Sequence, residues 1–164
     1  SGKFTKRQKD VYKAVHRVMK EAQSVMSTSI KYFDYHREIE KVLASELVGL
    51  KLIDKSDLKQ KGGEQAFRKY YYHGTSHMLG LDVHDCANAR NEAYTGELQP
   101  GYVLTVEPGI YFQPNDLTVP EEFRGIGVRI EDDVLVTASG CEILTHEAPK
   151  TIAEVEALMA TGNV

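Results

Sequence analysis

The chain has 164 residues, 41% of them apolar and 27% charged, the make-up of one ordinary globular domain. Its 20 Lys and Arg against 24 Asp and Glu leave a net charge of −4. No run of about eighteen apolar residues is present to span a bilayer, the opening Ser-Gly-Lys-Phe-Thr lacks a signal peptide's apolar stretch, and two cysteines, Cys86 and Cys141, exclude a disulfide scaffold or a four-cysteine zinc module.

A reducing, cytoplasmic setting is therefore expected. The charge is uneven, with 16 Lys and Arg against 9 Asp and Glu in residues 1–72, and 4 against 15 in residues 73–164. A basic half raises nucleic acid as a partner. Yet Lys6, Lys9, Lys13, Arg17 and Lys20 recur every three or four positions, opposite Val11, Val15, Met19 and Ala22. That pattern is the solvated face of one amphipathic helix, so neither nucleic acid nor membrane is an expected partner.

The elements follow in chain order. Thr5 with Gln8 three residues on forms a capping box, and apolar periodicity predicts a helix running to about Met26. Asp34 is the expected cap of a second helix, with Tyr35, Ile39, Val42, Leu43, Leu47 and Leu50 on its apolar face and its end near Leu52. The polar stretch 54–65, with Gly62-Gly63, is expected to be a loop. Residues 102–106 read as a strand closed by Glu-Pro-Gly, 113–125 as a polar loop, and Gly127 to Thr137 as one further strand. Cys141 to Thr145 reads as a third strand, and Pro149 to Met159 as a closing helix. Helices first and strands after them make the class α+β.

Polar residues gather at three places where a core would prefer apolar ones. His73-Gly-Thr-Ser-His77-Met-Leu-Gly-Leu-Asp-Val-His84-Asp85 carries half of the chain's 6 histidines. Its spacing sets His73 and His77 on one face of either a helix or a strand. It is no zincin motif, because Gly74 occupies the position of that motif's glutamate. Glu107 ends an apolar strand, and Pro108 restricts it to extended geometry, so its side chain is aimed. In Gly125-Ile-Gly-Val-Arg129-Ile-Glu131-Asp-Asp-Val, period two sets Val128, Ile130, Asp132 and Val134 on one face, with Arg129, Glu131 and Asp133 on the other. Arg129 can then hold a carboxylate by charge-assisted hydrogen bonds. Each feature alone fits a surface cluster or surface ion pair equally well. Together they make an imidazole-plus-carboxylate set suited to manganese, cobalt, iron or zinc, and bridging carboxylates suit two ions.

These three segments resemble the signatures of Xaa-Pro aminopeptidase, a pita-bread metallopeptidase, and the similarity extends from Gly2-Lys-Phe-Thr to the Arg-Gly-Ile-Gly before the last motif. Prolidase is a related alternative, as is a pita-bread binding module without catalysis. Met78 departs from the family's usual aromatic. The resemblance implies an antiparallel sheet covered by helices, and metal-assisted release of the residue preceding proline. His77, Glu107 and Glu131 match three of the family's five metal ligands. The two aspartates belong to a motif that the family places before its Gly-Lys-Phe-Thr segment. Residues 1–164 are thus expected to be the C-terminal portion of a catalytic domain whose first part is missing, inactive by itself.

Further roles follow from the same resemblance. Two divalent ions, manganese foremost, would activate a hydroxide, and Glu131 would bridge them. Glu107 would be both a ligand and the proton shuttle. His84 would be catalytic and substrate-binding through the developing oxyanion, and His73 would line the substrate pocket. Arg129 would orient a carboxylate ligand. Partners would be proline-containing peptides, with a homo-oligomer as the assembly of the full-length protein.

Overall fold

The computed structural model describes residues 2–59, 63–85 and 92–162, and the expected α+β class holds. Cys86 and residues 60–62 of the polar stretch lie outside the described residues. Helix α1 spans Lys6–Val25 behind the anticipated capping box: Gln8 N donates to Thr5 Oγ1, and Thr5 N donates to Gln8 Oε1 at 2.8 Å. Its apolar stripe, Val11, Val15, Val18, Met19 and Ala22, is buried, and the basic stripe stays outside.

Helix α2 spans Tyr32–Gly49, starting three residues earlier than Asp34 as a cap would have it. The start is set instead by tertiary bonds: Tyr32 N donates to Gly96 O, and Lys31 bridges Glu97. Asp34 sits in the first turn, 3.4 Å from Arg37. Helix α1 packs on α2, where Arg17 grips both oxygens of Glu46 at 2.8 and 2.6 Å. The helix ends in a Schellman turn, with Leu52 N on Leu47 O and Lys51 N on Val48 O. Lys51 there takes a left-handed φ of 61°, the position that glycine normally fills.

The polar stretch 54–65 is a loop only in part, since it carries a short 3-10 turn at Asp57–Lys59, and a second 3-10 turn, Gly63–Lys69, begins at its end. A short helix α3 spans Glu92–Thr95. The strands are β1 (Val103–Val106), β2 (Gly109–Tyr111), β3 (Gly127–Arg129), β4 (Asp132–Thr137) and β5 (Gly140–Ile143). All pair antiparallel, in the order β1-β4-β5 and, separately, β2-β3. The single strand expected over Gly127 to Thr137 is therefore two strands in two sheets. The register nevertheless runs straight through the break: Val106 faces Asp132 before it and Gly109 faces Arg129 after it. By that count Glu107 stands across from Glu131, and Pro108 across from Ile130. Pro108 has no N–H for the ladder, so the ladder is interrupted there and that pair keeps only Ile130 N on Pro108 O at 3.4 Å.

The expected alternation runs through the break. Ile130, Asp132, Val134 and Val136 are buried, whereas Arg129 and Glu131 are exposed. Asp132 is tolerated inside because Gln23 Nε2, Thr145 Oγ1 and Lys150 Nζ surround it at 2.8, 2.6 and 2.9 Å. The closing helix α4 (Ile152–Ala160) starts after Pro149, behind a second capping box of Thr151 and Glu154. The core lies between the helix pair and the sheet, with Tyr35, Tyr71, Met19, Ile39 and Leu104 among its largest fully buried members.

Candidate metal centre

The histidine segment is neither helix nor ladder strand. Residues 75–79 run extended beside β1, with Thr105 N on His77 O, Glu107 N on Thr75 O and Leu79 N on Val103 O, each at 2.7–3.0 Å. Beyond it the chain closes a loop through Asp85 N on Met78 O, leaving His84 exposed. The extended spacing and the strand end together bring His73, His77, His84, Glu107 and Arg129 into one chain of contacts, and leave Glu131 outside it.

Glu107 is at the centre and is buried, 8% exposed. Arg129 Nη1 lies 3.1 Å from its Oε2, and His77 Nε2 lies 3.3 Å from its Oε1. Thr105 Oγ1 also donates to Oε1 at 3.3 Å. The His84 ring stands edge-on to His77 at 4.3 Å. On the other flank Arg129 Nε donates to the Tyr111 hydroxyl at 2.7 Å, which lies 2.8 Å from His73 Nε2. His73 Nδ1 lies 2.7 Å from Gly74 O, an acceptor only, so that nitrogen carries the proton and Nε2 accepts from Tyr111. Gly109 allows this relay, since a side chain there would fall on the Tyr111 hydroxyl.

The tautomer of His77 follows from the same reasoning. Its Nδ1 lies 3.0 Å from Met78 O and donates there, so a neutral ring turns the lone pair of Nε2 toward Glu107. Two electron-pair donors then face one another at 3.3 Å, a geometry satisfied by a proton or a metal ion between them. Imidazole with carboxylate is an N/O donor set that fits a divalent cation.

Glu131 is the outlying donor. Among the described residues no group of three or more His, Cys, Asp or Glu is close enough to hold an ion as it stands. Partial burial, then the charges of Glu107 and Asp133, push the Glu131 carboxyl up, and Arg129 and His77 pull it back. It therefore belongs electrostatically to the Glu107–His77 pair that it faces. His73 is pushed down, first by burial.

Sequence reasoning passed over Tyr111 and His36. Tyr111 shares the strand parity of Glu107, four residues on, which was the available signal. His36 lies on α2 behind the histidine segment and had no sequence signal. Burial, and then the charge of Arg68, lower its pKa to about 4.

The sequence model of metallopeptidase family M24 matches residues 1–138. The chain is 49% identical over 161 residues to Xaa-Pro aminopeptidase 1 of Streptomyces coelicolor, covering 98% of this chain and 33% of that protein. It superposes on the aminopeptidase PepP of Pseudomonas aeruginosa with a TM-score of 0.88 at 40% identity, covering 98% of this chain and 36% of that one. A zinc-substituted Escherichia coli aminopeptidase P in complex with product gives 0.87 at 37% identity, with coverages of 100% and 37%. The chain thus spans about a third of the length of these relatives. With the family matched over most of its length, and the donor pair of His77 and Glu107 in place, this chain belongs to metallopeptidase family M24.

Proposed function

We propose that residues 1–164 are the C-terminal portion of the catalytic domain of an Xaa-Pro aminopeptidase, which removes the first residue from peptides with proline second. The observation that carries this reading is the convergence of His77, His84 and Arg129 around Glu107 at the end of β1, in a chain 49% identical to an Xaa-Pro aminopeptidase. His77, Glu107 and Glu131 are the metal-holding residues, with manganese the preferred ion. When bound, the metal supplies a water acidic enough to attack near neutral pH.

The protein's own groups do the rest. Glu107 takes up a proton and delivers it to the prolyl nitrogen, which leaves as an amine only when protonated. His84 donates toward the developing oxyanion, and its exposed position beside His77 supports that role. Arg129 fixes one oxygen of Glu107 and leaves the other to face His77. His73 and Tyr111 line the pocket as a hydrogen-bonded pair. The setting proposed is cytoplasmic, with self-association of the full-length protein and no nucleic-acid partner.

The test uses the full-length protein, stripped of metal and reloaded with manganese. Release of the first residue from Xaa-Pro-Xaa peptides is expected. Intact Xaa-Pro-Xaa peptides beside cleaved Xaa-Leu peptides would overturn the reading, and cleavage confined to dipeptides would point to a prolidase.

A further inference from the structure

Around Thr75 and His77 the backbone bonds of the extended segment run in one direction only, although Leu79 N donates to Val103 O further on. Thr105 N of β1 and Glu107 N just after it donate to His77 O and Thr75 O. The return bonds that an antiparallel ladder would make are absent at these pairs, and side chains take their place. His77 N donates to Thr105 Oγ1 at 3.0 Å, and Thr75 N donates to His36 Nδ1 at 3.4 Å. Thr75 is fully buried, so its amide has no recourse to water and needs that acceptor.

The rest of the His36 ring makes no polar contact that would account for a histidine there. Its Nε2 is buried with no hydrogen-bond partner among the described residues, and its faces meet Tyr32 at 4.4 Å and Tyr35 at 5.6 Å. An apolar ring would occupy that slot without leaving a buried N–H unsatisfied, so the polar ring is explained by Nδ1. Packing holds the geometry from the other side, because a side chain at Gly74 would meet His36 Cε1 at 3.2 Å.

We propose that His36 is a positioning residue for the reaction, its Nδ1 standing in for a ladder carbonyl so that the segment between His73 and His77 keeps both imidazoles turned to the Glu107–Arg129 pair. The proposal rests on the Xaa-Pro aminopeptidase reading for its kinetic consequence alone.

Two polar substitutions in the full-length protein separate positioning from packing. In His36→Asn, the amide oxygen can occupy the place of Nδ1; in His36→Gln, it lies nearer the place of Nε2. Hydrogen exchange of the Thr75 amide and the kcat and KM for an Xaa-Pro peptide are read for both. His36→Asn is expected to keep wild-type exchange and kcat within about threefold, whereas His36→Gln speeds Thr75 exchange and lowers kcat by about tenfold or more, the loss of one buried hydrogen bond. The exchange of α1 amides, which reports global stability, stays equal in the two. Equal Thr75 exchange in the two variants, or losses that follow their unfolding midpoints, would overturn the proposal. If the wild-type protein cleaves no Xaa-Pro peptide, the functional reading falls, and Thr75 exchange by itself decides the role of His36.

Discussion

Arg129 and Glu107 are joined across the break between the two sheets, Nη1 3.1 Å from Oε2, while the other carboxylate oxygen is left to face His77. Arg129 spends a second donor, Nε, on Tyr111. One planar guanidinium therefore fixes both the central carboxylate and the tyrosine that orients His73. Arg129→Met in the full-length protein is expected to lower metal affinity and kcat/KM by about 10–100-fold. Arg129→Lys should rescue little, because an ammonium cannot reproduce the two-pronged geometry. Metal titration and peptide kinetics check this, and full rescue by Lys would refute it.

Glu107→Gln and His84→Ala separate two roles. The first removes a charged metal donor and the proton carrier together, so turnover should vanish. The second removes one donor to the oxyanion and should cost about 10²–10³ in kcat. Equal residual rates would show that the roles are misassigned.

His36 gives stability a pH dependence whose sign can be stated. Its pKa in the folded protein is about 4 against an ordinary 6.5, so it stays neutral where the unfolded chain takes up a proton. Above pH 6.5 both states are neutral and its contribution is complete. As the pH falls from 6.5 to about 4 that contribution is lost, about 3 kcal/mol in all, and below this the curve levels. Urea unfolding of His36→Asn across this range should show a shallower decline than wild type.

Lys51 bears a left-handed φ of 61° at the end of α2. Glycine adopts that conformation without steric cost, so Lys51→Gly should stabilise the protein by about 0.5–1 kcal/mol, although the unfolded chain becomes more flexible. A lower midpoint in chemical denaturation would contradict this.

Residues 1–164 by themselves are expected to bind manganese weakly and to show no turnover. His77 and Glu107 are in contact, but Glu131 is exposed and set apart, and Arg129 already holds one oxygen of Glu107. A manganese ion must compete with that ion pair for a site with few donors. Calorimetric titration with an Xaa-Pro peptide assay alongside decides it, and tight two-site binding with turnover would refute the expectation.

Local features were legible in the chain itself. The Thr5–Gln8 capping box, the buried stripe of α1 and the inward turn of Ile130, Asp132 and Val134 follow from periodicity and short-range chemistry. Of the expected grouping of imidazole with two carboxylates, His77 and Glu107 are in contact and Glu131 is set apart. Where α2 begins was not legible: Asp34 has the chemistry of a cap, but a pairing of Lys31 with Glu97, far along the chain, starts the helix first. The split of the strand over Gly127 to Thr137 was equally hidden, since its cause is a missing donor on the opposite strand, Pro108.

The chain alone therefore determined the helix caps and the alternation of buried and exposed positions within each element, since both depend on neighbours a few positions away. Only the tertiary structure decided that Glu107 is held between Arg129 and His77, that Tyr111 links Arg129 to His73, and that His36 accepts the Thr75 amide. These contacts join segments far apart in the chain, and their geometry depends on which strands pair and on what packs over them, which no stretch of local sequence specifies.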